Sequence, residues 1–163
     1  MIDRSSFTPE EWRLILSSPM LAGMAVSLAD PSGLFGTLKE GFAGANALMS
    51  AKKDAASNAI ARAIAADFDT PEGRSAARDG IKADLKGKSP AEMKAKALEG
   101  LRQVNAILSA KAPDDAPGFR TWLKEVAANA AEASSEGGFL GFGGVQISDA
   151  EKATLAEIDT ALS

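Results

Sequence analysis

Four basic residues follow one another at intervals of four positions, the spacing that aligns side chains along one face of an α-helix. They are Arg74, Arg78, Lys82 and Lys86, called the basic row below. A row of cations favours binding to an anion, or a head-to-tail contact with a second copy through its acid-rich C-terminal third (residues 112–163, nine acids and three basic residues), so these residues form a predicted anion or partner face. The alternative is a solvated helix face whose charges are balanced locally by Glu72, Asp79 and Asp84. The formal net charge of −4 and the lack of aromatic residues within the row argue against nucleic-acid binding.

An apolar, glycine-rich segment forms the second candidate. Residues 137–144 combine glycines with large apolar residues and are followed by Val145. The predicted partner-binding residues, called the Gly-Phe loop below, are Phe139, Leu140, Phe142 and Val145. Apolar side chains in such a loop either fold over the helices or form an exposed patch that binds a protein partner or a second copy of the chain. A phosphate-binding loop is disfavoured because no Lys-Ser or Lys-Thr follows and the preceding element is a predicted helix.

Carboxylates supply the third set of candidates. Asp30 and Glu40 stand on either side of the turn at 31–33, where both could reach one Ca²⁺ or Mg²⁺ ion. Their spacing differs from that of an EF-hand loop, however. Asp67 and Asp69 come just before a predicted helix, where capping and the helix dipole explain them. We therefore predict no metal site and no cofactor.

The chain contains no histidine, cysteine or tyrosine. Those side chains carry out most of the proton transfer, nucleophilic attack and transition-metal binding in enzymes. The sequence therefore favours a non-enzymatic helical interaction or assembly module that binds a protein partner or itself. The alternative is a helical domain that binds a small molecule, Ca²⁺ or Mg²⁺.

The elements that carry these candidates are all predicted helices. Residues 8–11 and 89–92 place a capping hydroxyl first, proline at the first helical position and glutamate at the third, and residues 148–151 repeat the pattern without proline. Thr70 supplies a further cap. These starts and the apolar periodicity predict helices over 9–17, 19–29, 34–67, 71–86, 90–111, 116–134 and 149–162. Pro19 predicts a new helix start, with one helix kinked at this proline as the alternative.

These spans predict an all-α fold, a single-domain bundle of six or seven helices over residues 1–163, with Trp12 and Trp122 in its core. A similar order of tryptophan, helix and glycine-rich turn indicates a weak internal duplication of 8–67 and 116–163.

Residues 29–33, reading Ala-Asp-Pro-Ser-Gly between two predicted helices, resemble the helical domains associated with tellurite resistance. The resemblance implies a stress-response type for the small-molecule alternative and assigns no role to individual residues. The chain lacks cysteine, a basic-then-apolar leader and an apolar run of about 18 residues, which predicts a cytoplasmic protein without membrane association.

Overall fold

The computed structural model describes residues 2–29, 58–136 and 147–163. These residues form six α-helices, a short 3-10 helix (Arg4–Ser6) and no strand. The α-helices are α1 (Pro9–Ser27), α2 (Ala59–Phe68), α3 (Pro71–Leu85), α4 (Pro90–Lys111), α5 (Ala116–Glu136) and α6 (Asp149–Ala161). The predicted all-α helical bundle is confirmed.

The helices begin where the sequence places capping residues. Thr8, Ser89 and Ser148 each accept a hydrogen bond from the third amide of the following helix, and the glutamate at that third position accepts one from the cap's own amide. All three predicted capping boxes are thereby confirmed. Thr70 caps α3, since its hydroxyl accepts a hydrogen bond from the amide of Gly73 at 3.0 Å.

Asn58 caps α2 and also ties it to a distant turn, a role that the sequence pattern did not indicate. Its side-chain oxygen accepts hydrogen bonds from the amides of Ile60 and Ala61 at 3.0 and 3.1 Å. Its side-chain nitrogen donates to the carbonyl of Asp115, between α4 and α5, at 3.1 Å. Because Asn58 is buried, this one side chain fixes the start of α2 against the α4–α5 turn.

The predicted helix start at Pro19 is wrong, because α1 continues through this residue as one helix. Proline has no amide, so it leaves the carbonyl four residues earlier, that of Ile15, without its helical partner. The hydroxyl of Ser18 donates to this carbonyl at 2.6 Å, inside the core. A side chain thus replaces the missing backbone hydrogen bond and allows the helix to continue.

Helix α1 is the centre of the described bundle. It packs against each of the other five α-helices, most extensively against α4 and α5. Its largest buried apolar residues are Trp12, Ile15, Leu16, Leu21 and Val26. A helix that is apolar on most of its surface is stable only when it is surrounded. The remaining helices accordingly contribute to one buried apolar cluster around it.

Helices α1 and α4 run antiparallel and approach each other closely. At one end, the ammonium of Lys111 lies 2.6 Å from a carboxylate oxygen of Glu11. Farther along, Gly100 faces Leu21, and a Cβ atom at position 100 would lie 2.7 Å from Leu21 Cδ1. Glycine is needed here because any side chain would push the two helices apart or force Leu21 to move.

Both tryptophans belong to the core, as predicted, with Trp12 3% and Trp122 2% exposed. The ring of Trp122 packs against that of Phe119, with 5.2 Å between centroids. No described residue accepts a hydrogen bond from the Trp122 indole nitrogen. Trp122 therefore serves packing, whereas Trp12, as shown below, also makes a polar contact.

Candidate functional site

The basic row lies on the solvent-exposed side of α3. All four of its side chains are exposed, whereas Gly73 and Ala77 on the same helix are buried. Within the described ranges, no carboxylate forms an ion pair with any member of the row. The local balance by Glu72, Asp79 and Asp84 that was the alternative explanation is therefore not found. Aligned cations that form no ion pair with a described acid create a local positive potential on a chain of negative net charge.

The two ends of the row differ from its middle. The guanidinium of Arg74 donates to the carbonyl of Phe68 at 2.7 Å, so it closes the end of α2. Helix α3 ends at Leu85, one residue earlier than predicted, and Lys86 has the non-helical angles φ −57° and ψ 125°. The chain then turns at Gly87, whose φ of 76° favours glycine. Arg78 and Lys82 thus form the regular part of the row, and neither has an ion pair with a residue that the structure describes.

The acid-rich C-terminal third lies away from α3. Helices α5 and α6 pack on α1, on α4 and on each other, whereas α3 packs on α1, α2 and α4. Two acids of α6 are paired, Glu157 with Lys94 at 2.7 Å and Asp159 with Lys124 at 2.5 Å. The exposed Glu125 has no ion pair with any described residue. Basic and acidic surfaces therefore belong to different sides of the bundle.

An open groove lies beside the basic row, between α1, α3 and α4. Two adjoining depressions of about 330 and 200 Å³ share part of their lining and together form this groove. Leu14, Ile81 and Ile107 are half-buried in it, and its lining also includes four carboxylates, those of Glu10, Glu11, Asp84 and Glu99. Helix α3 contributes Ile81 and Leu85 to the groove as well as Lys82 to the basic row. One helix thus presents an apolar and a cationic surface next to each other.

A second depression, called the N-terminal cleft below, has a volume of about 580 Å³. Its lining residues are Asp3, Arg4, Ser5, Phe7, Pro9, Trp12, Ala63, Ala66 and Asp67. The indole nitrogen of Trp12 donates to a carboxylate oxygen of Asp67 at 2.7 Å. The predicted capping role of Asp67 is wrong, because Asp67 lies in the last turn of α2 and Thr70 caps α3. No sequence pattern indicates that Trp12 and Asp67 meet, since 55 positions separate them.

The carboxylates with lowered pKa values belong to helix caps. Hydrogen bonds from Lys111 and from the amide of Thr8 lower the pKa of Glu11. The amide of Ser89 similarly lowers the pKa of Glu92, because it stabilises the charged form. In the described part of the chain, no group of three or more carboxylates could hold a metal ion.

The remaining sequence-based candidates lie outside the described residues. These are the Gly-Phe loop (Phe139, Leu140, Phe142 and Val145) and the possible cation pair of Asp30 and Glu40. The segment that resembles tellurite-resistance domains also lies almost entirely outside them. Ile147, just beyond the loop, is half-buried against the core.

No known protein family, curated protein or solved structure matches the chain. Among the described helices, none combines the length and the apolar character needed to cross a bilayer. The described surfaces therefore carry the functional argument.

Proposed function

We propose that the chain is a non-enzymatic helical interaction module that binds an acidic surface of a protein partner through the basic row of α3. The observation that carries the proposal is the exposure of Arg78 and Lys82 without any ion pair among the described residues. No acid lies three or four positions from Arg78 in the sequence, and Asp79, three positions before Lys82, forms no ion pair with it.

The spacing of the row defines the partner surface that fits it best. Residues four positions apart on an α-helix are separated by about 6 Å along its axis. A partner helix with glutamates at every fourth position presents carboxylates at the same interval. Each exposed pair contributes only about 0.2–1 kcal/mol, so the row acts mainly on the rate of association and on register.

The groove beside the basic row offers a partner apolar contacts in addition to the ionic contacts of the row. A partner helix with leucines beside its glutamates would place apolar side chains over Leu14, Ile81 and Ile107. Amphipathic helices bind in this way to apolar grooves, with anchors three and four positions apart. The partner of the module is therefore an acidic amphipathic helix, presented by another protein or by a second copy of the chain.

The test uses a fluorescein-labelled amphipathic peptide with glutamate at every fourth position, and fluorescence anisotropy as the measurement. We expect binding that weakens steeply as salt rises from about 0.1 to 1 M, since screening shortens the reach of charges. R78E/K82E should weaken binding at least about tenfold, since it removes two attractive pairs and adds two repulsions. The control R102E/K152E makes the same change in net charge at exposed positions of α4 and α6, and should preserve it.

Light scattering on the same proteins shows whether the partner helix comes from a second copy of the chain or from another protein. A salt-sensitive oligomer of the wild-type chain that R78E/K82E dissolves would identify a second copy as the partner. Peptide binding by a chain that stays monomeric would identify another protein. Equal loss of peptide binding in R78E/K82E and R102E/K152E, or no binding by the wild-type chain, would refute the role of the basic row.

A further inference from the structure

The N-terminal cleft combines an aromatic wall with room for a small ligand. The rings of Phe7 and Trp12 stack with 5.9 Å between centroids and 29° between planes. Ala63 and Ala66 of α2 also line the cleft, and their short side chains leave its volume of about 580 Å³ open. Sites for small molecules typically occupy about 300–1,000 Å³ and combine apolar walls with a few polar groups.

The main polar group in the cleft is the carboxylate of Asp67, whose side chain is 22% exposed. One of its oxygens, Oδ2, accepts the hydrogen bond from Trp12. No described residue donates a hydrogen bond to the other oxygen, Oδ1. The hydrogen bond from Trp12 fixes the orientation of the carboxylate, so Oδ1 is a preoriented acceptor beside an aromatic wall.

Among the described residues, the cation that pairs with this carboxylate is loosely held. The guanidinium of Arg4 lies 3.6 Å from Asp67 Oδ2, and the Arg4 side chain is 70% exposed. An exposed pair at this distance is weak, because water screens it and the long side chain loses freedom on pairing. Arg4 therefore occupies the mouth of the cleft as a counter-ion that a better-fitting cation can displace.

The surroundings of Asp67 also favour a cation. Asp67 lies in the last turn of α2, at the negative end of the helix dipole. Asp3, a second carboxylate, lines the same cleft. Hydrogen bonds from Ser5 lower the pKa of Asp3, so it stays charged. Acidic groups thus outnumber the one arginine around the cleft.

We propose that the N-terminal cleft binds a small organic cation with a flat aromatic body. The ammonium or amidinium group of the ligand donates to Asp67 Oδ1 and displaces Arg4, and its ring lies against Pro9, Ala63 and Ala66. Phe7 and Trp12, which are 7% and 3% exposed, border the ring but offer it little surface. This site is separate from the basic row, so a negative result for one proposal leaves the other unaffected.

The test is isothermal titration calorimetry of the full chain with three probes of one shape, benzamidine, benzamide and benzoate. We expect benzamidine to bind and the neutral and anionic probes to bind at least about tenfold more weakly, since they lack the charge-assisted hydrogen bond. A fluorescence change should accompany benzamidine binding, because Trp12 lies in the cleft.

Two variants locate the site. D67N keeps an oxygen that can accept the hydrogen bond from Trp12 but removes the charge, and should weaken benzamidine binding at least about tenfold. R4A removes the competing cation and should strengthen binding. The helical circular dichroism of both variants should match that of the wild-type chain. Equal binding of benzamidine and benzamide, unchanged binding in D67N, or no binding at millimolar benzamidine would refute the proposal.

Discussion

Replacing Gly73 with alanine should destabilise the protein, although alanine is the better helix-forming residue. Gly73 is the third residue of α3 and is buried where α2 turns into α3. A Cβ atom here would lie 2.1 Å from the carbonyl oxygen of Asp67 and 2.7 Å from its carbonyl carbon. Both are backbone atoms, so no side-chain rotation can relieve the contact, and the α2–α3 turn must open.

The loss of unfolding free energy in G73A can be estimated from the contacts that change when the α2–α3 turn opens. The hydroxyl of Thr70 accepts from the Gly73 amide and donates to the Asp67 carbonyl at 2.8 Å, so both hydrogen bonds are weakened. Overpacking costs about 1–3 kcal/mol, and a weakened N-cap costs about 0.5–2 kcal/mol. The gain in helix propensity is at most about 1 kcal/mol. We therefore expect G73A to lose about 1–4 kcal/mol of unfolding free energy.

Gly80 provides the matched control in the same helix. A Cβ atom at Gly80 would meet only the side chain of Arg13, at 3.6 Å or more, which is an ordinary contact. G80A should therefore stabilise the protein by about 0.5–1 kcal/mol. Urea unfolding followed by helical circular dichroism measures both variants. With a slope of about 2 kcal/mol/M, a loss of 2 kcal/mol lowers the midpoint by about 1 M.

Opposite signs for the two glycines would support the close contact at the α2–α3 turn. Equal stability of G73A and the wild-type chain would show that the turn does not need glycine. An equal loss in G73A and G80A would show that the cost arises from α3 as a whole.

Two further predictions concern capping and pH. N58A should lose about 1–2 kcal/mol of unfolding free energy in urea, because it removes the cap of α2, and an unchanged midpoint would contradict that role. Glu11 and Glu92 have lowered pKa values in the folded state, so their stabilising effect is complete above the ordinary glutamate pKa and is lost as pH falls through the lower folded values. Because the chain has no histidine, we expect urea midpoints to stay level from about pH 5.5 to 7 and to fall below about pH 4.3. E11Q should flatten that fall, and an equally steep fall in E11Q would exclude Glu11 as a cause.

The elements that the sequence predicted well are those set by local chemistry. Thr8, Ser89 and Ser148 mark helix starts because each cap and its glutamate interact within one turn. The apolar periodicity likewise identified the buried face of α4, including Leu101 and Leu108. Such signals are complete within a few residues, so they can be recognised without knowledge of the fold.

The errors arose where a residue's role depends on contacts that spacing rules do not include. A proline such as Pro19 usually ends or kinks a helix. Here the hydroxyl of Ser18 donates a hydrogen bond to the carbonyl that the proline leaves without a partner, and α1 continues. Asp67 stands just before the start of α3 in the sequence, which indicated a capping role. Its hydrogen bond with Trp12 depends instead on how α1 packs against α2. The basic row follows from spacing, but only the folded structure shows that none of the described acids pairs with its members. The N-terminal cleft was missed because its walls come from distant parts of the chain.

The central position of α1 has a consequence for synthesis on the ribosome. Helix α1 leaves the ribosome before α4, one of its main partners, which begins only at Pro90, about sixty residues after Ser27. At about 5–20 residues per second, several seconds separate the two. During this time the apolar surface of α1 lacks its later partners and is open to chaperones or to other nascent chains. The native core is therefore assembled late, when α4, α5 and α6 have been made.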